Sequence, residues 1–207
     1  MASKVDIVNA ALNKIGASRI LAFTDDTPEG RLANSSYNDL RDEVLRDHPW
    51  NFAIRRVALA ANATAPIYEY SNSFDLPDEP NYCLRVLSVE NPNDRSWKIE
   101  GRAIVTNLEA PLNIKYIKRV IDTGLMDFAF TNALAARLAW EWAEDLTGST
   151  SKGKKLFEEY TSHITGAKSV DGQEGTPDSI QSNEWDDARE GGAVRGLGDH
   201  PGEGTAW

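Results

Sequence analysis

The chain has 207 residues, of which 41% are hydrophobic and 9% aromatic. That is enough apolar material for one compact domain with a smaller lobe and a tail, and it excludes global disorder. The formal net charge of -10 repels a phosphate backbone over most of the surface, and one cysteine with three scattered histidines excludes a disulfide scaffold or a Cys/His zinc site and suits a reducing cytoplasm.

The opening MASKVDIVNAALNKIG breaks its apolar pattern at Asp6, Asn9 and Asn13, so it reads as neither signal peptide nor membrane anchor. No segment reaches the roughly 18 apolar residues of a bilayer span. Ser3 caps a predicted helix over 4-15, where Val5, Val8, Leu12 and Ile15 recur at helical steps and Gly16 ends the run. A second helix is predicted over 28-47. Thr27 is its cap, Pro28 takes the first helical position, and Ala33, Tyr37, Leu40 and Val44 line one face until Pro49 interrupts. The stretch HPWNFAIRRVALA, residues 48-60, fits neither the helical nor the strand period and stays open between the two.

From about residue 67 to 120 the pattern alternates. IYEYSNSFDL, YCLRVLSVE, SWKIEG, AIVTNL and LNIKYIKRV read as five successive strands joined by brief turns, which predicts an antiparallel meander. A third helix is predicted over 127-146. Arg137, Glu141, Glu144 and Asp145 occupy one side of it, and its apolar arc of roughly 220° far exceeds the ~100° stripe of an ordinary surface helix. Such a helix needs partners on two sides. A fourth, over 151-169, carries Leu156, Phe157, Tyr160, Ile164 and Ala167 on one stripe. The expected fold is therefore α+β, a helical bundle over residues 1-170 with a small inserted β lobe.

Residues 171-207 differ in composition, with eight of the 15 glycines and nine carboxylates against Arg189 and Arg195. They read as a flexible acidic arm. Trp185 and Arg189 within EWDDAR, and the final Trp207, are either a docking motif that orders on a partner or stray residues in a biased segment.

Asp75, Asp78 and Glu79 in SFDLPDEPNYCLRVLSVE raise a metal or acid/base reading, but Pro77 and Pro80 restrict the backbone where a calcium loop needs a glycine turn. The same stretch reads better as a corner that stops one strand and aims the next, with Cys83 half-buried in a strand. Catalytic signatures are missing: no nucleophile elbow, P-loop, dinucleotide fingerprint or H-E-x-x-H occurs, and GGAVRGLG lacks the flanking strand and helix a phosphate loop requires. His48, His163 and His200 have no nucleophile beside them and read as surface or capping residues. Lys115, Lys118 and Arg119 with Tyr116, and Arg55 with Arg56, form small basic groups that read as solvated sheet faces rather than a nucleic-acid platform. Expected catalytic, metal and cofactor sites are therefore none.

RDEVLRDHPWNFAIRRVALA, YEYSNSFDLPDEPNYCLRVLSV, WKIEGRAIVTN, LNIKYIKRV and FAFTNALAARLAWEWAEDLTGS, in that order, resemble the tail tubular protein A family. These are the head-to-tail adaptors of short-tailed bacteriophages, and the likeness covers about residues 4 to 170, with EWDDAR as a further element. The resemblance implies a structural virion protein of the tail or neck, assembled in the bacterial cytoplasm and not an enzyme. About a dozen copies, with a dodecamer the expected count, would form a ring between portal protein and tail nozzle protein, around a channel that passes genomic DNA without binding it specifically. No membrane is involved. Arm-like segments of such adaptors grip the portal, which makes Trp185, Arg189 and Trp207 the portal-contact candidates. The broad apolar arc makes Ala133, Ala136, Trp140 and Ala143 the candidates for contact between subunits. Two alternatives stand beside this: another phage neck or tail-completion protein, and a small metal-dependent hydrolase using Asp75, Asp78 and Glu79.

Overall fold

The computed structural model describes residues 2-90 and 97-174. Helix α1 is Lys4–Ile15 and α2 is Pro28–Asp47. The capping residues read from the sequence act locally. The Ser3 side chain accepts from the Asp6 N–H while Asp6 reaches back to the Ser3 N–H, and Thr27 accepts from Gly30. Helix α3, Phe128–Thr147, lies one residue later at each end than expected and starts on an Asp127 cap. Gly16 and Gly148 close α1 and α3 in the left-handed conformation, at φ 78° and 63°. Helix α4 runs Thr150–Glu174, so the first residues assigned to the arm continue the helix. The rest of the arm lies outside the described residues. One glycine has a role the sequence did not signal: a Cβ on Gly30 would stand 2.4 Å from the Asp25 carbonyl oxygen.

The class is α+β, as expected, but the β lobe is not a single meander. Strand β1, Ile54–Leu59, arises from the stretch left open, and β2 (Asn72–Asp75), β3 (Cys83–Val89), β4 (Trp97–Glu100), β5 (Ala103–Thr106) and β6 (Leu112–Lys118) follow. They form two antiparallel three-stranded sheets, ordered β1-β6-β3 and β2-β5-β4. Only the β4-β5 hairpin pairs neighbours in sequence. The reason lies in β6. Leu112, Ile114 and Tyr116 are buried on one face with Val86, Val89, Phe74 and Ile104, while Ile117 is buried in the helical core. A strand buried on both faces takes the centre of a sheet, whereas a meander would leave this last strand at an edge. Strand β1 escaped detection because Leu59 is its only buried residue and Arg55 and Arg56 are exposed.

The β1-β6-β3 sheet thus shares one core with the second sheet and another with the bundle. Leu84 and Leu87 pack with Ile117 against the helices. In the bundle, α3 is the central element: Phe130, Ala133, Leu134, Ala135, Ala136, Leu138, Ala139, Trp142 and Ala143 are all buried. Its neighbours are α1, α2 and α4 of the same chain. Trp142 is fully buried and its indole N–H donates to Ser36 Oγ at 2.9 Å. The Trp50 indole N–H likewise donates to the Val44 carbonyl at 2.9 Å, and Trp50 meets Phe130 edge-on.

Trp142→Ala removes a large side chain from the centre and is expected to cost about 3–5 kcal/mol, read as a lower urea midpoint. A second test concerns acid. Lys14 of α1 bonds Glu159 of α4 and, with His163 adding to it, holds the Glu159 carboxyl below its ordinary 4.5. A lowered carboxyl pKa stabilises the fold fully above that value and loses the contribution as falling pH protonates the group. Glu159→Gln is therefore expected to lower stability at neutral pH and to flatten its decline below about pH 4.5 in a pH series of denaturant melts.

Candidate interaction surfaces

The acidic corner is held by arginines. Tyr82 lies between two guanidinium groups, Arg102 at 4.0 Å and Arg119 at 3.9 Å from its ring centroid. Asp78 pairs with Arg102 at 3.0 Å and Glu79 with Arg119 at 2.8 Å. Arg102 also donates to the Pro77 carbonyl at 2.8 Å. Arg119 reaches α2 as well, through Asp42 at 2.7 Å. Asp75 accepts from Asn62 at 2.9 Å. Each of the three carboxylates singled out for metal or acid/base chemistry is thus engaged in a structural contact, and two of them carry an arginine counter-charge. Among the described residues, no three His, Cys, Asp or Glu side chains gather as a metal site. The corner does aim the next strand, as the sequence suggested, and Arg119 also ties the β lobe to the bundle through Asp42. That coupling had no local signal, since Asp42, Asp78, Arg102 and Arg119 are far apart in the chain.

Cys83 is buried rather than half-buried, and burial pushes its thiol pKa up, partly offset by Arg102. His48 is the C-cap of α2 and is buried edge-on against Trp50, so it is a core residue and not a surface one. His163 stands 3.5 Å from Glu159, and His200 lies outside the described residues. Of the basic residues grouped on one strand, Arg119 is committed to Asp42 and Glu79, Lys118 donates to Asn81 at 2.8 Å, and Tyr116 is buried. Arg55 turns back onto the Phe52 and Ile54 carbonyls. Only Arg56 and Lys115 fit the reading as solvated cations.

The subunit-contact candidates need correction. Ala133, Ala136 and Ala143 are 0% exposed inside the single chain, where α1, α2 and α4 cover them. The wide apolar arc is consumed by three helices of the same molecule, so these alanines have no surface to offer a sister copy. Trp140 differs. It remains partly exposed and forms, with Phe157 at a ring-centroid distance of 4.7 Å, the floor of an open groove of about 670 Å³ between α3 and α4. Glu141, Glu144, Gly153, Lys154 and Glu158 complete it. Behind the floor, Arg137 stacks on Trp140 at 4.3 Å and pairs with Glu141 at 2.7 Å and Glu43 at 3.0 Å. Other apolar side chains stand in solvent: Ile67 is 100% exposed, Leu21 90% and Phe128 85%. The portal-contact candidates Trp185, Arg189 and Trp207 lie outside the described residues. Among the described residues no helix is long and apolar enough to cross a membrane.

No family model and no curated protein matches this chain.

Cys83 supplies a direct test of the corner's packing. A buried thiol with a raised pKa reacts slowly, because the thiolate is the nucleophile. In the native protein Cys83 is expected to resist a thiol-reactive disulfide dye and to be labelled stoichiometrically in denaturant, and rapid native labelling would contradict the burial.

Proposed function

We propose that this protein is a structural head-to-tail adaptor of a short-tailed bacteriophage, a virion component that joins the portal to the tail nozzle around the DNA channel. Its work is binding, without a reaction. The observation that carries the reading is the ordered series of five segments that resembles the adaptor family. In the fold these segments are the end of α2 with β1, the β2–β3 corner, the β4-β5 hairpin, β6, and α3. A bundle bearing a small β lobe is also the architecture that the resemblance implies.

Two physical features support it. The net charge of -10, of which residues 171-207 carry -7 from nine carboxylates against two arginines, disfavours adhesion of passing DNA, since Lys and Arg contacts are what retain a phosphate backbone. The carboxylates of the rival hydrolase reading are occupied by Arg102, Arg119 and Asn62. The arm is the proposed portal grip, with Trp185, Arg189 and Trp207 as its anchors.

Electron microscopy of particles made without this protein tests the reading. The expected result is filled heads that leak DNA and carry no tails. Particles with normally attached tails would refute it, and heads that retain DNA while lacking only distal tail parts would favour a tail-completion role.

A further inference from the structure

Two surfaces carry charges with no ion pair or hydrogen bond among the described residues. The first is the α3–α4 groove. Its Glu141 is taken by Arg137, but the Glu144 and Glu158 carboxylates have no ion pair or hydrogen bond among the described residues. They line the groove together with Phe157, which is 46% exposed, and with Lys154 as its one cation. A Cβ on Gly153 would meet the Trp140 ring at 3.9 Å, an ordinary contact distance.

The second is a pair of cations on the β1-β6-β3 sheet. Arg56 and Lys115 are directly opposite each other in the antiparallel β1-β6 register. Like charges at such positions destabilise a strand pair. Neither side chain has an ion pair or hydrogen bond among the described residues, and the nearby Glu90 carboxylate is already bonded by Asn113 at 2.7 Å. They lie on the face shared with Ile54 and Ile117, opposite Arg55, Val57, Leu112, Ile114 and Tyr116, since alternate residues of a strand face opposite ways, and Arg56 is exposed while Lys115 is half-buried.

The chain shows how it satisfies such groups when both halves are present. At Tyr82 an aromatic ring flanked by Asp78 and Glu79 holds two arginines against its faces, and at Trp140 the ring and Glu141 hold Arg137. Phe157 with Glu144 and Glu158 is a similar set of groups with Lys154 as its one lining cation and no arginine on the ring among the described residues, and Arg56 with Lys115 is a cation pair without its acids. Opposite charge and cation–π attraction make the two halves complementary.

We propose that the α3–α4 groove receives Arg56 and Lys115 of a second copy of this chain, with Arg56 over Phe157 and the two cations paired to Glu144 and Glu158. The contact joins two different surfaces, so it is head-to-tail and propagates until rotation closes a ring or leaves an open filament. It deepens the adaptor reading, on which the ring setting rests, while the contact itself is testable on the isolated protein.

Sedimentation velocity over a concentration series, at low and high salt, is the test. Wild type is expected to associate with rising concentration, and salt is expected to weaken that association. The double variants Arg56→Glu with Lys115→Glu, and Glu144→Lys with Glu158→Lys, are each expected to weaken association by about tenfold or more. All four changes in one chain reverse both surfaces and are expected to restore it. Because all four positions are exposed or half-buried, unchanged urea midpoints check that the variants fold. A wild-type chain monomeric at every concentration, indifference to either double change, or failure of the four-fold variant to recover overturns the proposal. Tails attached to particles lacking the protein would instead sink the adaptor reading and leave this result standing.

Discussion

The structure depends on burying α3. Its apolar arc covers well over half of the circumference, and a helix of that kind is stable in water only when neighbours cover it on more than one side. Helices α1, α2 and α4 do so, and the small residues Ala133, Ala136, Ala139 and Ala143 are fully buried where those neighbours pack. Trp142 and Phe130 fill the space between the helices, and Trp50, just beyond the end of α2, closes the side toward the β lobe. The exceptions are polar groups on one edge. Arg137 is buried, yet it is paired to Glu43 and Glu141 and stacked on Trp140, so its charge is compensated where it is withdrawn from water. The Tyr160 hydroxyl donates to Asp47, which fastens α4 to the end of α2, and this bond and burial raise the phenol's pKa.

The β lobe is joined to this bundle by two kinds of contact with different character. Ile117, Leu84 and Leu87 supply apolar area on the shared sheet. Arg119, held by Asp42 on one side and Glu79 on the other, supplies direction. Apolar burial alone tolerates sliding, whereas a guanidinium bonded at both ends and stacked on Tyr82 defines one relative placement. Arg46 and Arg85 reinforce it by donating across the same junction, to the carbonyls of Leu84 and Arg46. The corner that first suggested metal chemistry thus positions the lobe.

That economy bears on function. On the proposed adaptor reading, a protein that holds others in register needs rigid placement of its own parts and contact sites outside them. The Tyr82 corner and the Arg137 cluster supply the first, each with an aromatic ring, carboxylates and arginine. The Phe157 groove and the Arg56–Lys115 pair, with charges unpaired among the described residues, are the proposed second.

The amino-acid sequence by itself determined where α1 and α2 begin and where α1 and α3 end, because Ser3, Thr27, Gly16 and Gly148 act on backbone groups within a few residues of themselves. It also determined that the middle of the chain would form strands and that α3 would need covering on two sides. It could not say what covers α3, and Ala133, Ala136 and Ala143 became contact candidates because an apolar arc looks the same whether its partner is another helix of the chain or another chain. Strand order was equally hidden, since β6 enters between β1 and β3 through pairings more than twenty residues apart. The pairing of Asp78 and Glu79 with arginines, the approach of Gly30 to Asp25 and the groove beside Trp140 were decided only by tertiary structure. Caps and periodicity are local interactions written in adjacent residues, whereas packing and charge pairing join positions that only the folded chain brings within reach.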